Sequence, residues 1–393
     1  MPESTTTLPT PDLVAVDGTL VLGSLLGKGF EVSVYPRQVV TAIDPASDGP
    51  ELAFVHGLPS SSGLAPVTYA QDKRMRRALL ERHRVPIPRG ATFTMSRGIR
   101  GAHRFAAQVG FPVVIKPAVG DSIIETHSGL GDVAAMDRAL DELRTPPSER
   151  PGFSRAAYGL TELREPGEEN GRIVVPPGYT FLVEKQLSGH YLRFLVIDGE
   201  IASVIDCDGA PGDGTLRGGV EITNQVHPGL VEIALRGARA IPGLAVVAVD
   251  LVTADPRADA ASPGTAVVEL SERPGLWVQR LVDPGLADRL ATRIVEAHLA
   301  SHGIGPGSAA EHLEVVLEAH AIPDVEQGAD VITSAATAYG LVARVRDTDR
   351  LAGVVRADLH GAAGSIAQLT DDLLDGRIDQ LRVMLAVLSP TAG

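Results

Sequence analysis

The stretch that decides the fold is Gly110-Phe-Pro-Val-Val-Ile-Lys116-Pro117, followed later in the chain by Phe181-Leu-Val-Glu184-Lys185-Gln-Leu187. Both contain an apolar run that ends in charged residues. In the first, a β-branched run bounded by prolines predicts a buried strand. We expect the charged ends of these two strands to carry chemistry, because a charge at the end of an apolar strand needs a partner or a ligand.

Lysine is rare in this chain, which makes each lysine informative. Of the 35 basic residues only four are lysines, namely Lys28, Lys73, Lys116 and Lys185. A composition biased toward Arg, Ala, Gly and Pro would be expected to lose lysines that serve only solubility. A lysine ammonium can meet a phosphate oxygen end-on, whereas arginine presents a planar fork. We therefore expect the four lysines to have a chemical role, such as binding phosphate.

The bulk composition excludes several classes of protein. A chain of 393 residues can hold two or three domains, and a formal charge of −14 argues against a general nucleic-acid binder. The single cysteine, Cys207, cannot form an intrachain disulfide, which favours a reducing compartment. The N-terminus lacks the pattern of a signal peptide, and the most apolar stretch, residues 241–252, is short and contains Asp250. We expect a cytoplasmic protein without nucleic-acid or membrane partners.

Hydrophobic periodicity predicts the elements of the N-terminal half. Strands are predicted at residues 13–16 and 31–35 on either side of a short helix at 20–26, and further helices at 99–109 and 132–143. A helix is also predicted at 72–83, with apolar residues facing inward and arginines outward. The inward residues are Met75, Leu79 and Leu80, and the outward ones Arg74, Arg76, Arg77 and Arg82.

The C-terminal half alternates strands and helices. Residues 144–178 are rich in Pro, Gly, Glu and Arg and predict a long, lid-like loop. The dipeptide Asp198-Gly199 predicts a hairpin between strands at 192–197 and 200–205. Beyond it we predict helices at 229–240 and 286–301 and strands at 246–253 and 265–270. A small α/β unit follows, with strands at 313–318, 341–345 and 381–387 and helices at 328–339 and 363–374.

Five motifs in a fixed order carry a family resemblance. They are Asp72-Lys73, the stretches 110–117 and 181–193, Val249-Asp250-Leu251, and Val267-Val-Glu269-Leu-Ser271-Glu-Arg273-Pro-Gly275. The series, over roughly residues 70–304, resembles the ATP-grasp carboxylate–amine ligases, in particular the amino-acid ligase type found in cyanophycin and glutathione synthetases.

The resemblance implies the fold class and the domain layout. The class is a mixture of α+β and α/β, an ATP-grasp fold in which two α+β lobes clasp a nucleotide. Residues 1–70 would form a short N-terminal α/β segment, 71–178 the first lobe with the lid-like loop 144–178, 179–304 the second lobe, and 305–393 an extra small α/β unit. The N-terminal segment is shorter than the family's usual N-terminal domain. We therefore hypothesise that the C-terminal unit packs beside it and completes the cleft, or forms a dimer interface.

The resemblance also implies how ATP would be held. Lys73 and Lys116 correspond to the two lysines that bind the phosphates. The alternative for each is a surface charge. The position of Lys116 at the end of an apolar strand argues against that alternative, whereas for Lys73 both interpretations stay open.

The segment 184–187 corresponds to the hinge that seats adenine through backbone groups of Lys185 and Leu187, next to Glu184. Its alternative is a strand end with a solvated Glu-Lys pair. Tyr191 stands where the family usually has an acidic residue for the ribose.

A magnesium site is implied by oxygen-bearing residues on two strands. Asp250, Glu269 and Ser271 match the metal motifs, and Mg²⁺ prefers oxygen ligands that include one or two carboxylates. Asp250 interrupts an apolar strand, so its charge requires compensation. The alternative for both carboxylates is a salt bridge to an arginine such as Arg273.

The implied reaction joins a carboxylate to an amine through an acyl phosphate and uses ATP and Mg²⁺ as cofactors. Its implied substrates are small amino acids or carboxylates. A homodimer is the default assembly. Arg193 and Arg273 are the candidates for phosphate or substrate-carboxylate contacts, because a guanidinium suits a bidentate anion. Either arginine could instead be structural.

Four departures from the family pattern keep a second function open. Ser271 replaces the usual Asn, Tyr191 replaces an acid, Asp206-Cys207-Asp208 lacks a common basic residue, and the phosphate loop 120–129 contains bulky Ile123 and Ile124. The second function is a degenerate ATP-grasp protein that binds nucleotide or a partner ligase without catalysis. An unrelated α/β binding protein is a third alternative.

Overall fold

A computed structural model describes residues 15–46, 49–120, 126–146, 149, 166–176, 178–258 and 264–391. The chain divides into two compact units. One unit combines Met1–Ser61 with Gly275–Gly393, and the other is Ser62–Pro274. None of the helices in the described part has the length and apolarity that crossing a membrane requires.

The described elements are numbered in chain order. The helices are α1 (Val16–Gly27), α2 (Leu64–Gln71), α3 (Lys73–Arg82), α4 (Ile99–Val109), α5 (Val133–Arg144), α6 (Pro228–Arg239), α7 (Trp277–Val282), α8 (Pro284–Ser301), α9 (Val325–Ala338) and α10 (Ala363–Leu374). The strands are β1 (Glu31–Tyr35), β2 (Val39–Ile43), β3 (Leu52–Val55), β4 (Leu58–Pro59), β5 (Gly90–Thr94), β6 (Val113–Pro117), β7 (His127–Leu130), β8 (Gly167–Glu169), β9 (Arg172–Val174), β10 (Thr180–Lys185), β11 (His190–Ile197), β12 (Glu200–Asp208), β13 (Gly218–Glu221), β14 (Val246–Thr253), β15 (Ala266–Ser271), β16 (His312–His320), β17 (Val342–Asp349), β18 (Val354–Ala362) and β19 (Leu385–Pro390).

The first unit is built on one antiparallel sheet of eight strands, in the order β17-β18-β16-β19-β1-β2-β3-β4. Its C-terminal part follows a βαββαβ path, the split-βαβ arrangement. Because β19 pairs with β1, with Val32 opposite Leu388, the two ends of the chain share this sheet. This pairing agrees with the first part of the hypothesis, that the C-terminal residues pack beside the N-terminal segment. The second part, that they complete the cleft or form a dimer interface, stays a prediction.

The sequence predictions for the first unit need correction at α1 and at four strands that were not predicted, namely β2, β3, β4 and β18. Val16 begins α1 instead of ending a strand, and residues 13–14 lie outside the described part. The helix continues to Gly27 because Val21, Leu22, Leu25 and Leu26 are fully buried along one stripe. Strand β18 was not predicted, although its residues alternate between buried and more exposed positions, as a strand requires.

The second unit contains two larger antiparallel sheets. The first has the order β5-β10-β6-β7 and packs α4 and α5 over a core that includes Ile115, Met136 and Phe181. The second has the order β13-β12-β11-β14-β15 and shares a core with α6 and with Leu80 of α3. These antiparallel sheets, with their covering helices, agree with the predicted mixed α+β and α/β class.

The compact units differ from the predicted domain boundaries. Strand β10 was assigned to the second lobe, but it pairs with both β5 and β6 in the first sheet. Helix α8 was assigned to the second lobe, but it belongs to the first unit, where it packs against α1. The predicted hairpin is present, since β11 and β12 pair around Asp198 and Gly199, both of which have positive φ. Most of the predicted lid-like loop lies outside the described residues.

Candidate nucleotide site

A cleft lies within the second unit, where the ends of β6 and β10 meet residues of β11, β14 and β15. It encloses a cavity of about 110 Å³ and is otherwise open to solvent. Its apolar lining includes Pro88, Val114, Leu187, Val252 and Val268. Its polar lining includes Lys116, Glu184, Lys185, Tyr191 and Glu269. Six of the eleven residues predicted from sequence to form the site therefore line one cleft.

Lys116 is buried at the centre of the polar lining. Its side chain is 5% exposed, and its Nζ lies 2.8 Å from Glu184 Oε2 and 3.0 Å from Glu269 Oε2. Burial opposes the charged form, but the carboxylates of Glu184 and Glu269 outweigh it and raise the pKa of Lys116 above its usual value. Lys116 is therefore a fixed cation, and the alternative of a surface charge is wrong.

Lys73 is the first residue of α3 and is also buried, with 1% of its surface exposed. Asp72 caps this helix by accepting hydrogen bonds from the N–H groups of Arg74 and Met75. The Lys73 Nζ donates to the carbonyl of Gly120 at 3.2 Å. The surface alternative is wrong for Lys73 as well. The phosphate loop that Gly120 begins lies outside the described residues from 121 to 125, including Ile123 and Ile124.

Helix α3 presents a different face to the protein from the one predicted. Met75 is 45% exposed, whereas Arg76 is only 4% exposed. The buried face is made by Lys73, Arg76 and Leu80, which recur at helical spacing. Arg76 is an ion-pair partner of Glu269 Oε1 and donates to the carbonyl of Leu270. The prediction that Arg76 faces outward is therefore wrong, because its ion pair offsets the cost of burial.

Asp250 and Glu269 face one another in register across β14 and β15. Asp250 accepts hydrogen bonds from Arg193 Nη1 at 3.1 Å and from the Tyr191 hydroxyl at 2.9 Å. Burial raises the pKa of Asp250 above its usual value, although Arg193 and Tyr191 oppose the shift. Glu269 is also buried, yet Arg76 and Lys116 lower its pKa to about 2. The open alternative, an arginine salt bridge, is thus present for both carboxylates, with Arg193 and Arg76 in place of Arg273.

The predicted magnesium ligands do not fit a metal held by this side-chain set. Of Asp250, Glu269 and Ser271, only Glu269 lines the cleft. Both oxygens of each carboxylate already have a basic partner, and Ser271 Oγ accepts the N–H of Arg273. Within the described part of the chain, no group of three His, Cys, Asp or Glu side chains could hold a metal ion.

The two predicted catalytic arginines are both buried, Arg193 at 2% exposure and Arg273 at 4%. Arg193 lies opposite Asp250 in register and forms its ion pair. Neither arginine is among the residues that line the cleft. Their roles in contacting phosphate or a substrate carboxylate stay predictions.

The predicted adenine hinge lies along the cleft at the end of β10. Glu184 is buried and bridges Lys116 and Arg77, so the alternative of a solvated Glu-Lys pair is wrong. The Lys185 Nζ donates to the carbonyls of Gly110 and Phe111, both at 3.0 Å, which fixes its side chain at the rim. Leu187 contributes apolar lining. A fixed strand end beside apolar side chains can seat a flat, uncharged ring.

Tyr191 lies between Asp250 and the cleft. Its ring lines the cleft, while its hydroxyl donates to Asp250. Burial and the charge of Asp250 raise the pKa of Tyr191 well above its usual value, so the phenol stays protonated and keeps that hydrogen bond. Its predicted position beside a ribose remains a prediction.

Charged side chains of both signs surround the cleft. Its lining contains the ammonium groups of Lys116 and Lys185 and the carboxylates of Glu184, Asp213 and Glu269. Lys73, Arg76 and Arg77 interact with the two glutamates from α3. The buried ammonium groups of Lys73 and Lys116, near a flat-ring seat, are the features that suit a nucleotide.

A scan against protein-family models finds no match, and neither does a search of curated proteins. A search of solved structures does find similar chains. The solved structures that this chain resembles include ligases and ATP-grasp proteins.

One of these structures is a bifunctional glutathione synthetase from Pasteurella multocida, with 14% identity and a TM-score of 0.40. The match covers 67% of this chain but only 41% of the synthetase. A D-alanine–D-alanine ligase from Bacillus anthracis, complexed with ATP, has 16% identity and a TM-score of 0.39 over 60% of this chain and 67% of the ligase.

A RimK-domain ATP-grasp protein from Sphaerobacter thermophilus has 15% identity and a TM-score of 0.39, over 59% of this chain and 69% of that protein. With such low identities and TM-scores, the function of this chain has to be inferred from its own side chains.

Proposed function

We propose that this chain is an ATP-dependent carboxylate–amine ligase whose nucleotide binds in the cleft of the second unit. The observation that carries the proposal is the position of Lys116. It is a buried, protonated cation that lines the cleft with the 184–187 strand end on one side and Glu269 on the other. Adenine would lie along that strand end, and the phosphates would meet Lys116 and Lys73.

In the proposed reaction, a carboxylate oxygen of a small acid attacks the γ-phosphorus of ATP, which gives an acyl phosphate and releases ADP. An amine nitrogen then attacks the acyl carbon, phosphate leaves, and the nitrogen loses a proton as the amide forms. Lys116 and Lys73 would neutralise and orient the phosphates. The apolar lining would exclude water from the acyl phosphate. We further propose that the substrates are small molecules, that the protein acts in biosynthesis in the cytoplasm, and that it is a homodimer.

A second candidate function is nucleotide binding without turnover. It is favoured by a specific observation, namely that Asp250, Glu269 and Ser271 are all engaged by protein donors. The two candidates agree on the ligand and differ in whether ATP is consumed.

Release of ADP and phosphate from ATP with pooled amino acids separates the two functions. The ligase predicts release that depends on the pool and falls at least a hundredfold in Lys116→Met. The control Lys28→Met removes another buried lysine, which pairs with Glu296 in the first unit, and should retain turnover. Nucleotide binding without release under every pool would establish the non-catalytic function. Failure to bind ATP at all would reject both.

A further inference from the structure

The basic partners of Asp250 and Glu269 indicate how the cluster is neutralised. Glu269 contacts Arg76 through Oε1 and Lys116 through Oε2, and Asp250 is held by Arg193 through both oxygens. A carboxylate attracts a divalent cation through its unbalanced negative charge. In this cluster that charge is already balanced by side chains.

The two carboxylates are also poorly accessible to a metal ion. Asp250 is 3% exposed, and Tyr191 lies between it and the cleft with its hydroxyl on Asp250 Oδ2. Arg76 approaches Glu269 from α3 and is anchored by the carbonyls of Ala70 and Leu270. A metal ion on Glu269 Oε1 would have to displace a guanidinium that pairs with this oxygen by charge and that two backbone carbonyls hold in place.

We propose that fixed guanidinium groups, Arg76 on Glu269 and Arg193 on Asp250, stand in place of a protein-bound divalent metal in this nucleotide site. Arg76 is a positioning residue in this arrangement, because it acts on the nucleotide through Glu269. The inference rests on the proposed binding of nucleotide in the cleft. Its consequence is that the protein binds a nucleoside diphosphate equally well with and without a divalent cation.

Isothermal titration calorimetry with ADP, in 5 mM MgCl₂ and in 5 mM EDTA, tests this directly. We expect the wild-type Kd to differ by less than about threefold between the two buffers, a difference of about 0.7 kcal/mol. A threefold or larger loss of affinity in EDTA would overturn the inference and leave the proposed function intact. Absence of ADP binding in both buffers, with ATP also failing to bind, would overturn the proposed function and with it the inference.

The variant Arg76→Met tests the role of the guanidinium. It leaves Glu269 Oε1 without its partner, so the metal-free affinity for ADP should fall at least tenfold, and MgCl₂ should restore most of it. The double variant Arg76→Met/Glu269→Gln removes both charges and should regain binding that does not depend on Mg²⁺. Equal ADP affinities of Arg76→Met in the two buffers would contradict the proposal.

Two controls separate this effect from a loss of fold. Arg138→Met removes an exposed arginine on α5 and should not change either affinity. Circular dichroism melting identifies a variant that does not fold. If Arg76→Met unfolds, the double variant carries the test, because it buries no unpaired charge: metal-independent binding by the double variant supports the proposal, and metal-dependent binding refutes it.

Discussion

Among single residues, Lys116 is the one on which the proposed site depends most. Its ammonium compensates two buried carboxylates, so its replacement has two separable effects. Lys116→Met should weaken ADP binding at least tenfold and lower stability by about 3 kcal/mol, because Glu184 and Glu269 lose a buried partner. Calorimetry measures the first effect and urea unfolding the second. Lys28→Met should lower stability without changing affinity, and equal affinity losses in both variants would count against the site.

The sequence predicted correctly that Lys116 is not a surface charge, because it lies at the end of an apolar strand. It did not predict Arg76. Arginines on a helix were assumed to face solvent, and the partner that makes burial of Arg76 possible, Glu269, lies far away in sequence. The spacing Lys73, Arg76, Leu80 was the available signal, because it places Arg76 on the same face as the predicted phosphate lysine.

At the scale of elements, the first turn of α3 connects stability to binding. Asp72 caps α3 directly before Lys73, and Asp132 caps α5 by accepting from Ala135 N–H at 2.7 Å. Asp72→Ala and Asp132→Ala should each cost about 1 kcal/mol of stability. Only Asp72→Ala should also weaken ADP binding, by about fivefold, because it loosens the turn that carries Lys73. Unchanged ADP affinity in Asp72→Ala would remove Lys73 from the site.

Elements with strong local periodicity were predicted close to their observed bounds, as for α6, β14 and the β11–β12 hairpin. Sheet membership was harder, because pairing is non-local. Nothing within residues 180–185 indicates that β10 lies between β5 and β6. Strand β18 carried its own signal in the alternation of Val355, Ala357 and Leu359 with charged residues, but these charges weakened the apolar pattern.

At the scale of the whole molecule, the first unit should lose stability in mild acid. Burial lowers the pKa of His298 to about 4, and His302 adds to the effect. In the unfolded chain a histidine titrates near 6.5, so this contribution is fully present above pH 6.5 and is lost as the pH falls toward 4. We expect the contribution of His298 to fall by about 2 kcal/mol between pH 7 and pH 5. Asp371 in the same unit opposes part of this loss, because burial raises its pKa to about 6 and its protonation favours the folded state over this range.

The fluorescence of Trp277, the single tryptophan, reports unfolding of this unit. In urea unfolding followed by this signal, His298→Phe should flatten the loss between pH 7 and pH 5. An exposed histidine, His312, gives the control His312→Gln, which should retain the wild-type profile. An unaltered profile in His298→Phe would show that other groups cause the acid loss.

The cleft of the second unit is proposed to bind a nucleotide through Lys116 and the 184–187 strand end. A crystal structure with a nonhydrolysable ATP analogue would show whether it does. We expect the adenine beside Lys185 and Leu187 and the phosphates within hydrogen-bond distance of Lys116 Nζ. Analogue bound elsewhere, or an empty cleft at saturating analogue, would contradict it.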